Sequence, residues 1–149
     1  MKKISVVIPC HNEELGIGKV LDGIPYKRLE LLGFNTEVIV VDNNSTDKTA
    51  EVARRHGATV HLVKKTGKGH AIKMGFHFVS PDTDYVVMLD GDATYKSEEI
   101  VRMVEPLDSG FCDVVVGSRL EGKTRAGALS LKHRIVNWGF TFFARKFYQ

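Results

Sequence analysis

The sequence predicts an α/β protein with a mainly parallel sheet, and three observations carry that prediction. Short β-branched apolar runs recur along the chain, helical caps and spacing fill the stretches between them, and most chemically capable polar clusters directly follow a run. The first run, Ile4-Ser5-Val6-Val7-Ile8, reads as a strand halted by Pro9 and the polar His11-Asn12-Glu13-Glu14. Residues 38–41 and 114–116 repeat the type, and residues 59–63 are a shorter, more polar relative. Residues 85–89, Tyr85-Val86-Val87-Met88-Leu89, read as a buried strand. Continuous apolar runs of this kind belong to strands covered on both faces.

The intervening helices have their own signals. Residues 47–56 form the clearest, with Ser45, Thr46 or Asp47 as N-cap and Gly57 as the stop. A second covers about residues 70–79 and ends before Pro81. Ser97 is expected to cap a third, whose opening Glu98 and Glu99 suit the positive end of the helix dipole. A last helix, roughly residues 129–148, places Leu131, Ile135, Trp138 and Phe142 on one stripe, with Val136, Phe140, Phe143 and Phe147 widening it. Lys132, Arg134, Arg145 and Lys146 lie among these aromatics. Two readings fit that pattern: a helix covering its own sheet, or one resting on a membrane interface or a second copy of the chain.

Length and composition bound the rest. A chain of 149 residues suits one domain with a single core. Its net charge of +3 is mild, and the basic residues gather at 64–73 and 119–146, which favours small anionic ligands over nucleic acid. Two cysteines, Cys10 and Cys112, are too few for a disulfide scaffold and lack zinc-site spacing, so a cytoplasmic setting is expected. No run approaches the ~20 apolar residues of a membrane span.

The candidate chemistry sits where strands end. Asp90-Gly91-Asp92 puts two hard oxygen ligands after the fourth run, suited to Mg²⁺ or Mn²⁺ holding a diphosphate; a plain surface turn is the competing reading. Asp42 can accept hydrogen bonds from a base or ribose, or make an Asx-turn. Gly67-Lys68-Gly69 offers amides and a cation at a helix start, without Walker A spacing. Gly117-Ser118-Arg119 adds a guanidinium that could fork onto phosphate oxygens. The six histidines show no metal-ligand pattern, and only His11 and His70 lie beside the expected crevice.

Taken in order, Val7-Ile8-Pro9-Cys10-His11-Asn12-Glu13-Glu14, Val40-Val41-Asp42-Asn43-Asn44-Ser45-Thr46-Asp47, Gly67-Lys68-Gly69, Asp90-Gly91-Asp92 and Val116-Gly117-Ser118-Arg119 resemble the family 2 glycosyltransferases of GT-A fold. The nearest likeness is to the dolichol-phosphate mannosyltransferase and polyprenyl-phosphate glycosyltransferase branch. The resemblance implies a Rossmann-like three-layer α/β/α domain over residues 1–149, a nucleotide-sugar donor such as GDP-mannose or UDP-glucose, a divalent metal, and inversion at the anomeric carbon. It implies that Pro9, His11, Glu13 and Asp42 line the nucleoside pocket, that Asp90 with Gly91 meets the donor, and that Asp92 holds the metal. Lys68 would sit near the nucleotide and Arg119 near the reaction centre. Arg125, Lys132 and Arg134 would receive an anionic acceptor, by this branch a polyprenyl or dolichyl phosphate at the cytoplasmic membrane face.

Two positions depart from the family pattern: His11 stands where Tyr is frequent, and Thr94 where many of the mannosyltransferases carry Gln. The chain also ends at Gln149, before the strand and helix that usually complete the acceptor side, which suggests a truncated acceptor half. A non-catalytic nucleotide-sugar-binding or assembly subunit is therefore the second functional expectation. A nucleotidyltransferase would need a Gly-rich, Arg-containing loop after the first strand, and a dehydrogenase would need G-x-G-x-x-G there; Pro9-Cys10-His11-Asn12-Glu13 is neither.

Overall fold

The computed structural model describes residues 1–117, so the last helix and Ser118, Arg119, Arg125, Lys132 and Arg134 lie outside the described residues. Among the described residues four parallel strands form the sheet: β1 (Lys2–Cys10), β2 (Phe34–Asp42), β3 (Thr59–Leu62) and β4 (Tyr85–Met88), in the order β3-β2-β1-β4. Five helices are described: α1 (Ile17–Asp22), α2 (Tyr26–Leu31), α3 (Thr49–Arg55), α4 (Lys68–Phe78) and α5 (Ile100–Asp108), the last preceded by a 3-10 turn at Ser97–Glu99.

Alternation along the central strands divides the core. Ile4, Val6, Ile8 and Cys10 of β1 face one layer with Val38 and Val40 of β2, where Ile17, Leu21, Leu29, Ala53, Ile100 and Val104 from α1, α2, α3 and α5 cover them. Val7, Ile39 and Val41 face the other layer, covered by Ala71 of α4 with Met74 and Phe78 packed alongside. This is the three-layer α/β/α arrangement that the resemblance implies, built on the parallel sheet that the apolar runs predict. Ile4, Val6, Val7 and Ile8 are fully buried, and burying each aliphatic side chain stabilises the fold by roughly 1.5–3 kcal/mol. Helix α4 lies so close to β1 that a Cβ at Gly75 would stand 2.4 Å from Val7 Cγ1.

Register brings the strand ends together. Cys10 pairs with Asp42, Asp42 with Leu62, and Val7 with Met88, while Leu89 N–H continues the ladder to Val7 O at 3.1 Å. The chain runs outward from β1 to β2 and β3, then returns to β4 on the other side of β1. At such a reversal the loops diverge and leave a crevice beyond the carboxyl ends.

Several expectations change. Residues 114–116 are not a covered strand: residues 114–117 carry no strand, and Val114 is exposed, because three β-branched residues make no ladder without a partner strand. Among the described residues strand β4 is covered on one face rather than two, since α4 packs over β1 and β2 and leaves Val86 and Met88 exposed. Ser97 caps no helix; its buried hydroxyl instead donates to Val20 O at 2.8 Å, joining the turn before α5 to α1. Helices α1 and α2, six residues each, are additions to the expected order.

Candidate functional site

The four strand-end loops enclose one cavity of about 320 Å³, lined by Pro9, Cys10, His11 and Glu13 from the first, Asn43 from the second, Thr66, Gly67, Lys68 and Ala71 from the third, and Asp90, Gly91 and Asp92 from the fourth. Of the predicted site residues within 1–117, Pro9, His11, Glu13, Lys68, Asp90, Gly91 and Asp92 are thus brought together. Asp42 lies behind them, 4 % exposed, with its Oδ1 accepting the amide of Ser45, three residues on, at 3.1 Å. Gly67, expected to offer its amide, also lines the cavity, and Asn43, Cys10, Thr66 and Ala71 join it without having been singled out from the sequence for a role.

Side-chain bonds to backbone hold the first two loops to each other. Asn12 N–H donates to Ser45 Oγ at 3.0 Å, Thr46 N–H to Asn12 Oδ1 at 2.8 Å, and Glu13 N–H to Thr49 Oγ1 at 2.7 Å. Glu14 and Asp47 reciprocate: Glu14 N–H donates to Asp47 Oδ2 at 3.1 Å, and Lys48 N–H to Glu14 Oε2 at 3.0 Å. Asn12 and Asn44 both take positive φ, near 58°, a left-handed conformation that Asn tolerates better than most residues. Asp47 also accepts the Thr49 amide at 3.0 Å, but the N-cap position of α3 is Lys48, without a side-chain cap, rather than Ser45, Thr46 or Asp47 as expected. Burial alone would raise its carboxyl, but the Thr49 hydroxyl and the amides of Thr49 and Glu14 prevail and hold it below the usual carboxylate range.

Close packing fixes the fourth loop. A Cβ at Gly91 would meet Cys10 Sγ at 2.5 Å, and one at Gly16 would meet Gly91 O at 2.6 Å, so both positions admit only glycine without movement. Asp92 Oδ1 accepts the Thr94 amide at 2.9 Å across Ala93, which is itself left-handed at φ 58°. Lys68 Nζ, on the first residue of α4, donates to Asp90 Oδ1 at 2.8 Å. No side chain caps the start of α4, so its first amides are open to an anion.

The acids crowd one another. Desolvation first, then the charges of Asp92, Asp47 and Asp90, push the Glu13 carboxyl above its ordinary value. Burial chiefly, with Glu13 and Asp42 adding to it, pushes the Cys10 thiol up to about 12, which rules it out as a nucleophile at neutral pH. His11 Nδ1 donates to Asn43 O at 2.8 Å, which fixes its tautomer and leaves Nε2 as an acceptor when the ring is neutral.

Among the described residues no three His, Cys, Asp or Glu side chains form a ready metal cage. The donor set still fits a hard cation, because Mg²⁺-like ions at diphosphate sites take one or two carboxylates and complete their shell with phosphate oxygens and water. The mutual repulsion registered at Glu13 is what such a cation would relieve.

The sequence model described as "Glycosyl transferase family 2" matches residues 5–149. The chain belongs to this family. This glycosyltransferase is 41% identical over 122 residues to protein RfbJ of Shigella flexneri, covering 79% of the chain and 86% of RfbJ. It is 37% identical over 146 residues to the low-salt glycan biosynthesis hexosyltransferase Agl6 of Haloferax volcanii, covering 97% of the chain but 34% of Agl6. Among solved structures, glucosyl-3-phosphoglycerate synthase from Mycobacterium tuberculosis, in complex with Mn²⁺, UDP and glucosyl-3-phosphoglycerate, matches with a TM-score of 0.57 and 30% identity over 71% of this chain and 39% of that one. The same synthase with Mn²⁺ and UDP-glucose matches at a TM-score of 0.61 and 32% identity, over 73% and 40%. These neighbours are GT-A glycosyltransferases, and the fold is theirs. The chain spans well under half the length of Agl6 and of the synthase.

Proposed function

We propose that this family 2 glycosyltransferase moves a hexose, with inversion, from a nucleoside-diphosphate sugar to an anionic acceptor, a polyprenyl or dolichyl phosphate. The observation that carries the reading is the convergence of Glu13, Lys68, Asp90 and Asp92 on one cavity beyond four parallel strands. Support also comes from a solved relative that holds Mn²⁺ and UDP-glucose and from a relative, 35% identical, named undecaprenyl-phosphate 4-deoxy-4-formamido-L-arabinose transferase. UDP-glucose is the first donor to test and GDP-mannose the second.

On this reading Pro9, His11, Glu13 and Asp42 form the nucleoside end, with Asp42 acting from behind through the loop that it shapes. Asp90 and Gly91 border the sugar, and Asp92 would hold Mg²⁺ or Mn²⁺. The cation, when bound, stabilises negative charge on the diphosphate as the glycosidic bond breaks. Lys68 and the open amides of α4 serve the same developing charge from the protein side. A lipid phosphate is already an anionic nucleophile, so the acceptor needs no general base. Arg119 is assigned to phosphate near the reaction centre, and Arg125, Lys132 and Arg134 to the acceptor. The last helix is assigned to a membrane surface or a second copy. No described helix is long and apolar enough to cross a membrane.

The deciding experiment combines thermal shift with transfer. UDP-glucose or GDP-mannose with Mn²⁺ should raise the melting temperature, since a ligand bound to the native state stabilises it by mass action. Radiolabelled sugar should then pass to polyprenyl phosphate. Metal-dependent donor binding without transfer or hydrolysis would identify a nucleotide-sugar binder instead. Absence of any nucleotide-sugar binding would sink both.

A further inference from the structure

We infer that Asn43 is a positioning residue that sets Lys68 at the diphosphate end of the cavity. The inference rests on the nucleotide-sugar reading above, and its geometry is independent of it. The Asn43 side chain is buried and spends its whole amide on the third loop: Nδ2 donates to Val63 O at 3.3 Å and Lys65 O at 2.6 Å, while Oδ1 accepts the Gly67 amide at 2.7 Å. Oxygen and nitrogen are assigned unambiguously, because one faces an N–H and the other two carbonyls. The backbone of Asn43 is tied in the opposite direction, its N–H donating to Cys10 O at 2.8 Å and its carbonyl accepting from His11. One residue therefore locks the third loop to the end of β1.

What the clamp holds is the approach to Lys68. Gly67 stands at φ 129°, a conformation that side-chain-bearing residues rarely adopt, and its amide points at Asn43 while the next residue starts α4. That places Lys68 Nζ 2.8 Å from Asp90 Oδ1 across the cavity. A carboxylate at position 43 would face the Val63 and Lys65 carbonyls with lone pairs and keep only the Gly67 bond. An aliphatic residue would keep none.

The test is a double-mutant cycle on the full 149-residue chain, reading the affinity of UDP with Mn²⁺ by calorimetry and of uridine by ligand-observed NMR. Asn43→Asp should weaken UDP roughly tenfold, the scale of one hydrogen bond to a charged group, and leave uridine within about twofold. In the Lys68→Ala background the same substitution should cost less than about twofold, because the side chain through which Asn43 acts is gone. An equal loss in both backgrounds, or a uridine loss matching that for UDP, overturns the positioning role. Failure of the native chain to bind UDP at all refutes the nucleotide reading instead. If Asn43→Asp does not fold, Gly67→Ala runs the same cycle: its Cβ meets nothing within 4 Å, so only the backbone and its bond to Asn43 are strained.

Discussion

At the amino end of the sheet, acids meet lysines of β1: Lys2 lies 2.7 Å from Asp108, and Lys3 lies 3.0 Å from Asp82 and 3.1 Å from Glu37. At the carboxyl end of the same strands, Glu13, Asp90 and Asp92 share one cavity with Lys68. The carboxyls respond in opposite directions. Lys2 and Tyr85 hold Asp108 below its ordinary value, and Ser80 with Lys3 does so for Asp82, whereas Glu13 is pushed up. Matched charges at an exposed strand end contribute little and keep the edge soluble. Crowded acids cost stability, and a fold retains them where an external cation or donor completes the charge balance. The two ends differ also in their packing: exposed ion pairs flank one, and glycines packed against Cys10 and Gly91 sit at the other.

The comparison predicts unequal responses to substitution. Asp92→Ala should have the largest effect, reducing Mn²⁺-dependent nucleotide affinity by roughly 100-fold, the upper range for groups that hold or orient a metal. Unchanged Mn²⁺ dependence in titrations of that variant would break the contrast at its centre. Gly91→Ala comes next, because its Cβ needs space held by Cys10 Sγ. It should cost roughly 1–3 kcal/mol of stability, the usual penalty for overpacking, and lower donor affinity as the loop lifts. Denaturant unfolding and nucleotide titration measure the two parts.

Asp47→Ala should remove about 1 kcal/mol at neutral pH by leaving the Thr49 amide, at the first residue of α3, and the Glu14 amide without their acceptor. The native Asp47 carboxyl is depressed, so its contribution is complete above the ordinary Asp range and disappears as pH falls through its native value. The stability gap between native chain and variant should accordingly close below about pH 4. A pH-independent gap would show that lost packing, not the anion, is responsible. Lys2→Ala, at the amino end, should do least. It should leave nucleotide affinity unchanged and alter the melting temperature only slightly, and less in high salt, because exposed pairs are screened.

Much of this arrangement is legible in the sequence, for identifiable reasons. Strands β1 and β2 announce themselves because both faces are buried and their apolar runs are nearly continuous. The site follows from them, since Pro9 lies near the end of β1 and His11, Glu13, Lys68 and Asp90-Gly91-Asp92 lie in the segments that follow strand ends. Helices α1 and α2 escape notice because six residues make under two turns, too short for a periodic stripe, and Gly16, Gly23 and Pro25 read locally as turn residues. Ser97 has the neighbours of a cap but bonds to Val20, 77 positions earlier. Asn43 is hidden for the same reason: its partners lie 20 to 24 residues along the chain, and only the folded loops bring them to one amide. The run at 114–116 shows the converse, strand chemistry without a ladder.

Cys10 gives the molecule an intrinsic reporter. Its thiol is 2 % exposed at the floor of the cavity, beneath Gly91, and is held protonated, while Cys112 is half-buried and lacks that shelter. An alkylating reagent should therefore label Cys112 first and reach Cys10 only when the end of β1 opens. The slow labelling rate then clocks local unfolding of the site without global denaturation, and a ligand that closes the loops should lengthen that clock in proportion to its occupancy.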